Sequence, residues 1–127
     1  VEVMRLSDSE WMLMQALWER WPATAAELRS RADRGWAHTT VKTMLTRLVE
    51  KGAVREMRQG QAVRYEPLIS REEARRTAVR SLLDRVFGGA VGPLLHQLAA
   101  EEQVSPADRA RLERLARELE EADAREG

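Results

Sequence analysis

Thr39-Thr40-Val41-Lys42-Thr43-Met44-Leu45-Thr46-Arg47-Leu48-Val49-Glu50-Lys51-Gly52 is the stretch whose reading decides the fold. Wound as a helix at about 100° per residue, it sorts into two faces. Val41, Met44, Leu45, Leu48 and Val49 gather on one side, which must be buried. Thr40, Thr43, Thr46 and Arg47 fall on the opposite side, with Thr39 at the helix start and Lys42 at the flank. Gly52 suits the left-handed residue that ends a helix. Threonine can hydrogen-bond base edges or phosphates and set its methyl against thymine, while Arg and Lys reach guanine or phosphate. The exposed face therefore carries the side chains that a DNA major groove accepts.

Upstream, Ser7-Asp8-Ser9-Glu10 and Thr24-Ala25-Ala26-Glu27 each read as a capping box, a hydroxyl followed three residues later by a carboxylate. They predict a first helix over about Asp8 to Glu19, with Trp11, Met14, Leu17 and Trp18 on its core face. A short second helix follows over about Ala25 to Ala32, anchored by Leu28. Trp21-Pro22 ends the first helix, because the residue before proline avoids the helical region. Trp36 lies in the following loop, and its exposure is not readable. Downstream, Ala53 to Met57 and Ala62 to Glu66 are short strand-like segments around Arg58-Gln59-Gly60-Gln61, a hairpin pattern. Tyr65 packs under that hairpin or touches a DNA backbone, and its place two residues before Pro67 favours packing. The order helix, helix, helix, hairpin makes the predicted fold mainly α, a winged helix-turn-helix.

The remainder is predicted helical. Ser70-Arg71-Glu72-Glu73 and Ser105-Pro106-Ala107-Asp108 are further helix starts. Leu82, Leu83, Val86 and Phe87 lie on an apolar stripe over Arg71 to Phe87, which Gly88-Gly89 breaks. Leu94, Leu95 and Leu98 mark a shorter helix, and Leu112, Leu115 and Leu119 a last one. These stripes have little else to bury against, which predicts a homodimer, and two-fold proteins read palindromic DNA. The expected division is residues 1–69 as the DNA-binding domain and 70–127 as a helical dimerisation domain.

The 127 residues carry no net charge, with 21 basic and 21 acidic side chains, which at first argues against a nucleic-acid partner. Charge is distributed unevenly, however. Residues 34–64 hold seven Arg or Lys against two Glu, whereas residues 101–127 hold five Arg against nine acids. Phosphate binding needs a local positive surface rather than a positive total. Arg58 and Arg64 on the hairpin extend the basic set of the third helix. With no cysteine, disulfides, thiolate metal sites and cysteine nucleophiles are excluded. No apolar run approaches the roughly 18 residues of a membrane span, and no signal-peptide core opens the chain. The expectation is a soluble cytoplasmic protein with no membrane partner, no cofactor and no metal.

An enzyme is the first competing reading. The two histidines, His38 beside the third helix and His96 in the fifth, lack catalytic company. His96 reads as a half-buried structural residue, and Gly88-Gly89 is too short for a phosphate loop. A protein-interaction module is the second, since winged helices sometimes bind protein. The basic charge of the third helix and hairpin favours DNA.

These residues resemble the penicillinase repressor family, the BlaI/MecI/CopY type, from about Leu6 to Ala122. Leu6-Ser7-Asp8-Ser9-Glu10-Trp11 with Met14 and Leu17-Trp18 is similar to its opening helix. Thr39 to Leu48 followed by Lys51-Gly52 is similar to its recognition helix, Tyr65 to its wing tyrosine, and Phe87-Gly88-Gly89 to the break after its fourth helix. The resemblance implies a homodimeric repressor on an inverted-repeat operator with a TACA/TGTA-like core, and base contacts from Thr40, Lys42, Thr43, Thr46 and Arg47. In β-lactam-responsive members a metalloprotease cuts an Asn-Phe bond in the fifth helix, which makes an inactivating protease a candidate partner. The aligned dipeptide here is Gln97-Leu98, a departure from that pattern. Copper-responsive members use C-terminal cysteines, which this chain lacks.

Overall fold

The computed structural model describes residues 5–126; the outermost ends of the two expected domains, residues 1–4 and 127, lie outside the described residues. In chain order the elements are α1 (Asp8–Glu19), α2 (Ala25–Ala32), α3 (His38–Glu50), β1 (Val54–Gln59), β2 (Ala62–Pro67), α4 (Arg71–Phe87), α5 (Val91–Ala99) and α6 (Pro106–Glu126). The chain divides into two compact units after Ala78, inside α4.

In the first unit, both N-terminal capping boxes form. Ser7 N donates to Glu10 Oε1 at 2.8 Å and Glu10 N to Ser7 Oγ at 3.2 Å. Thr24 and Glu27 exchange the same pair of bonds at 3.0 and 3.2 Å. At α4 the box is half made: Glu73 N donates to Ser70 Oγ, but the Glu73 carboxylate accepts from the Ser70 hydroxyl rather than from its backbone. Leu13, Met14, Leu17, Leu28, Val41, Leu45, Leu48 and Val54 form the fully covered centre. Leu28 is thus the anchor of α2, as its spacing predicts. The expectation that Trp11 and Trp18 are core is met in part: Trp18 packs on the buried cluster from its edge, and Trp11 lies outside it. Both are half-buried, because Leu13 and Ala16 take the inner face of α1 with Met14 and Leu17. The two indoles instead pack on each other at its flank, 5.9 Å between centroids and tilted by 59°.

The end of α3 is a Schellman closure. Gly52 has φ 82°, its N–H donates to Val49 O at 3.0 Å, and Ala53 N donates to Leu48 O at 2.9 Å. The turn of the chain there delivers Ala53 and Val54 into the core. The hairpin differs from its sequence reading in length. Gln59 pairs with Ala62, so the loop is Gly60-Gln61 alone, and Arg58 lies on a strand rather than in the loop. Gly60 adopts φ 65°, as a two-residue mirror-image turn requires at its first position. Tyr65 is buried and its main chain exchanges two hydrogen bonds with Ala23, at 2.8 and 3.0 Å. The α1–α2 connection is thereby stitched to the wing. Burial pushes the Tyr65 phenol above its ordinary value of 10.0, and the charge of Glu56, its cross-strand neighbour, adds to the shift.

A partly buried ion pair ties the start of α1 to the end of α3. Lys51 Nζ lies 2.7 Å from Glu10 Oε1 and 2.7 Å from the Arg5 carbonyl. The Glu10 side chain is only 4% exposed. Burial raises its pKa, but the Lys51 hydrogen bond, the Ser7 backbone and side-chain hydrogen bonds and the Lys51 charge outweigh that and hold it below 4.5. A carboxyl whose folded pKa is depressed stabilises the fold above the unfolded value and loses that contribution as pH falls through the folded one. Urea unfolding of Glu10→Gln is therefore expected to show a lower midpoint at pH 7 and a flatter decline below about pH 4.5 than the unsubstituted chain. Gln preserves the capping box, so parallel pH profiles would mean that the charge contributes nothing.

In the second unit, α5 packs against α6. Arg109 holds the turn between them, donating to Ala99 O at 2.6 Å, Glu101 O at 2.9 Å and Val104 O at 3.4 Å. It thereby satisfies carbonyls at and beyond the end of α5. His96 is exposed, which corrects the half-buried expectation, and its Nε2 lies 2.7 Å from Glu120 Oε1. Of the apolar residues expected in pairing, Leu82, Val86, Leu98, Leu115 and Leu119 are exposed, while Leu83, Phe87, Leu94, Leu95 and Leu112 are half-buried. Val79 and Val91 are exposed as well.

Candidate nucleic-acid interface

The two faces of α3 fall where its periodicity puts them. Val41, Met44, Leu45 and Leu48 are buried and Val49 is half-buried. Thr39, Thr40, Lys42, Thr43, Thr46 and Arg47 are all exposed. Thr39, Thr40, Thr43, Met44 and Arg47 line one shallow depression of about 280 Å³. Thr43 Oγ1 donates to Thr39 O at 2.9 Å, and Thr46 Oγ1 donates to Lys42 O at 3.0 Å. This back-bonding, common for threonine within helices, directs both hydroxyl protons to carbonyls one turn back.

The basic residues of segment 34–64 separate into two groups. Lys51 is engaged by Glu10, and Arg55 is paired with Glu66 across the hairpin. Arg34, Lys42, Arg47, Arg58 and Arg64 make no salt bridge among the described residues. Sequence counting had no means of telling the groups apart, since Glu10 lies 41 residues from Lys51. In α2, Arg29 and Arg31 are also committed to structure. They donate to the carbonyls of Trp36, Ala16 and Arg20.

Register divides the hairpin arginines. Arg58 stands opposite Val63, and Arg64 opposite Met57, one step along the ladder. Opposed residues share a face and successive residues alternate. Arg58 therefore shares the face of Glu56 and Tyr65, while Arg64 shares that of Arg55 and Glu66. Arg64 is half-buried and its charge acts on Glu27, whose carboxyl the Thr24 hydrogen bonds already hold below 4.5. The two arginines predicted together from sequence thus project from opposite sides of one ribbon.

Among the described residues, no group of three or more His, Cys, Asp or Glu side chains is placed to hold a metal ion, and no helix is long and apolar enough to cross a membrane. Three helices, a two-stranded wing and a Thr-rich, basic third helix define a winged helix-turn-helix protein. The chain matches the model of the penicillinase repressor family over residues 6–118 and belongs to that family. It is 24% identical over 106 residues to the penicillinase repressor of Bacillus licheniformis, covering 82% of this chain and 83% of that protein. It is 39% identical over 75 residues to the transcriptional regulator BlaI of Mycobacterium tuberculosis, covering 57% and 54%. The solution structure of the DNA binding domain of the repressor BlaI superimposes with a TM-score of 0.51 at 27% identity, over 57% of this chain and 90% of that one.

Proposed function

We propose that this chain represses transcription as a homodimer on an inverted-repeat operator, with α3 in the major groove and the wing on the backbone. The observation that carries the proposal is the outer face of α3, where Lys42 and Arg47 stand among Thr39, Thr40, Thr43 and Thr46 with no acidic partner among the described residues. Arg58 and Arg64 are assigned to phosphate contacts on either side of the wing. Relatives described as a penicillinase repressor and as a transcriptional regulator support the same reading, and members of this family are regulators rather than enzymes.

Residues 1–69 are assigned to DNA and 70–127 to pairing. The exposed apolar side chains of α4, α5 and α6 support the second assignment, because exposed apolar surface marks an interaction site and the same patch on two identical chains closes into a two-fold dimer. In each chain, five basic residues of the 34–64 segment are without an ion-pair partner among the described residues, and each phosphate neutralised releases counterions. A mobility shift on mixed genomic DNA is expected to lose about 10³–10⁵ in affinity between 50 and 200 mM salt, as for about 6–10 phosphate contacts. Absence of binding at low salt would instead favour a protein-interaction module. Salt-independent binding would remove the electrostatic basis of the proposal.

A further inference from the structure

We propose that Trp18, Trp21, Leu68, Ser70 and Arg71 form a binding site for a small planar aromatic carboxylate. Among the described residues of the first unit, the large apolar side chains left exposed are Trp21, at 53%, and Leu68, at 55%. Both line the same depression of about 400 Å³, together with Trp18, Ile69, Ser70 and Arg71. That volume suits one small molecule rather than a protein segment. An otherwise well-covered unit thus concentrates its uncovered apolar surface in one concave place.

The chemistry of the walls selects the ligand class. The exposed Trp21 indole offers flat apolar surface for a fused or single ring, and Trp18 backs the wall. The Arg71 guanidinium lies over the Trp18 ring, 5.7 Å from its centroid. Arg71 is in no salt bridge among the described residues. A planar cation parked on an aromatic face keeps its N–H fork for a carboxylate. The Ser70 hydroxyl is engaged with Glu73, so it shapes the rim more than it binds. The wall is formed before any ligand arrives, because Trp18 Nε1 donates to Ile69 O at 3.0 Å and fixes the indole against the chain. A ligand here rests on Pro67 to Ser70, the segment that leads from the wing into α4.

The test is isothermal titration calorimetry of the full chain with 2-naphthoate and, as its neutral counterpart, 2-naphthamide. One saturable 2-naphthoate site per chain is expected. Arg71→Gln should weaken 2-naphthoate about tenfold and 2-naphthamide less than twofold. Trp21→Ala should weaken both about tenfold with an unchanged circular dichroism spectrum, and Leu68→Ser serves the same purpose if Trp21→Ala misfolds. No saturable heat up to millimolar ligand would overturn the proposal, as would equal losses of both ligands in Arg71→Gln. A change of oligomeric state in Trp21→Ala without ligand would show that a second copy covers the patch, and would overturn it too. None of these readouts involves DNA, so this site and the operator reading stand or fall separately.

Discussion

Arg47→Ala will weaken binding to an operator duplex by about 1–3 kcal/mol, the range of one good bidentate base contact. The side chain is exposed, lines the depression on α3 and meets no acidic partner among the described residues. Alanine is the better helix former, so helix content and thermal midpoint should not fall. The measurement is a titration by fluorescence anisotropy on a duplex selected from random sequence by the unsubstituted chain. If Arg47 touches a base, the loss shrinks on unselected DNA. If it touches phosphate, the loss is uniform across sequences and the salt slope drops by about one. An unchanged affinity with intact circular dichroism would place the reading head elsewhere. Thr43→Ala is expected to have the smaller effect, because its hydroxyl proton is already committed to Thr39 O.

The second large effect is on assembly. Leu82→Glu combined with Leu119→Glu should convert the proposed dimer to a monomer by sedimentation. Both leucines are exposed in the single chain, so the folded protomer tolerates the change and its helicity should persist. In a paired state each carboxylate would be buried without a partner, at several kcal/mol apiece. That is at least about a thousandfold in the dimer dissociation constant, since about 1.4 kcal/mol is a factor of ten. Operator affinity should collapse alongside, because each half-site would then be filled independently. A double variant that still sediments as a dimer would remove α4 and α6 from the interface.

Local signals in the sequence carried far. The helix starts at Ser7 and Thr24 are visible because a capping box is a contact between residues three apart. The buried and exposed sides of α3 follow from its own periodicity. What sequence missed are contacts between distant segments. The Ala23–Tyr65 bridge and the Lys51–Glu10 pair join positions with no local pattern in common. The second of these removes a lysine from the apparent positive surface. Trp11 and Trp18 lie on the apolar stripe of α1, yet only Trp18 packs on the core, and at its edge: a ring that broad sits outside when smaller side chains already fill the middle. The hairpin tip was read two residues too long because Gly60 supports a tighter turn than the polar run around it suggests.

The back-bonded threonines restrict what α3 is able to say to a base pair. With their protons directed to Thr39 O and Lys42 O, the hydroxyls of Thr43 and Thr46 face outward as acceptors only. An acceptor meets the exocyclic amino groups of adenine and cytosine and is repelled by the N7 and O6 of guanine, while the adjoining methyl suits the C5-methyl of thymine. In the proposed major-groove docking, guanine is left to Arg47 and Lys42. A helix so docked carries a division of labour in its vocabulary: its charged words would address one purine, and its small, proton-poor words the rest.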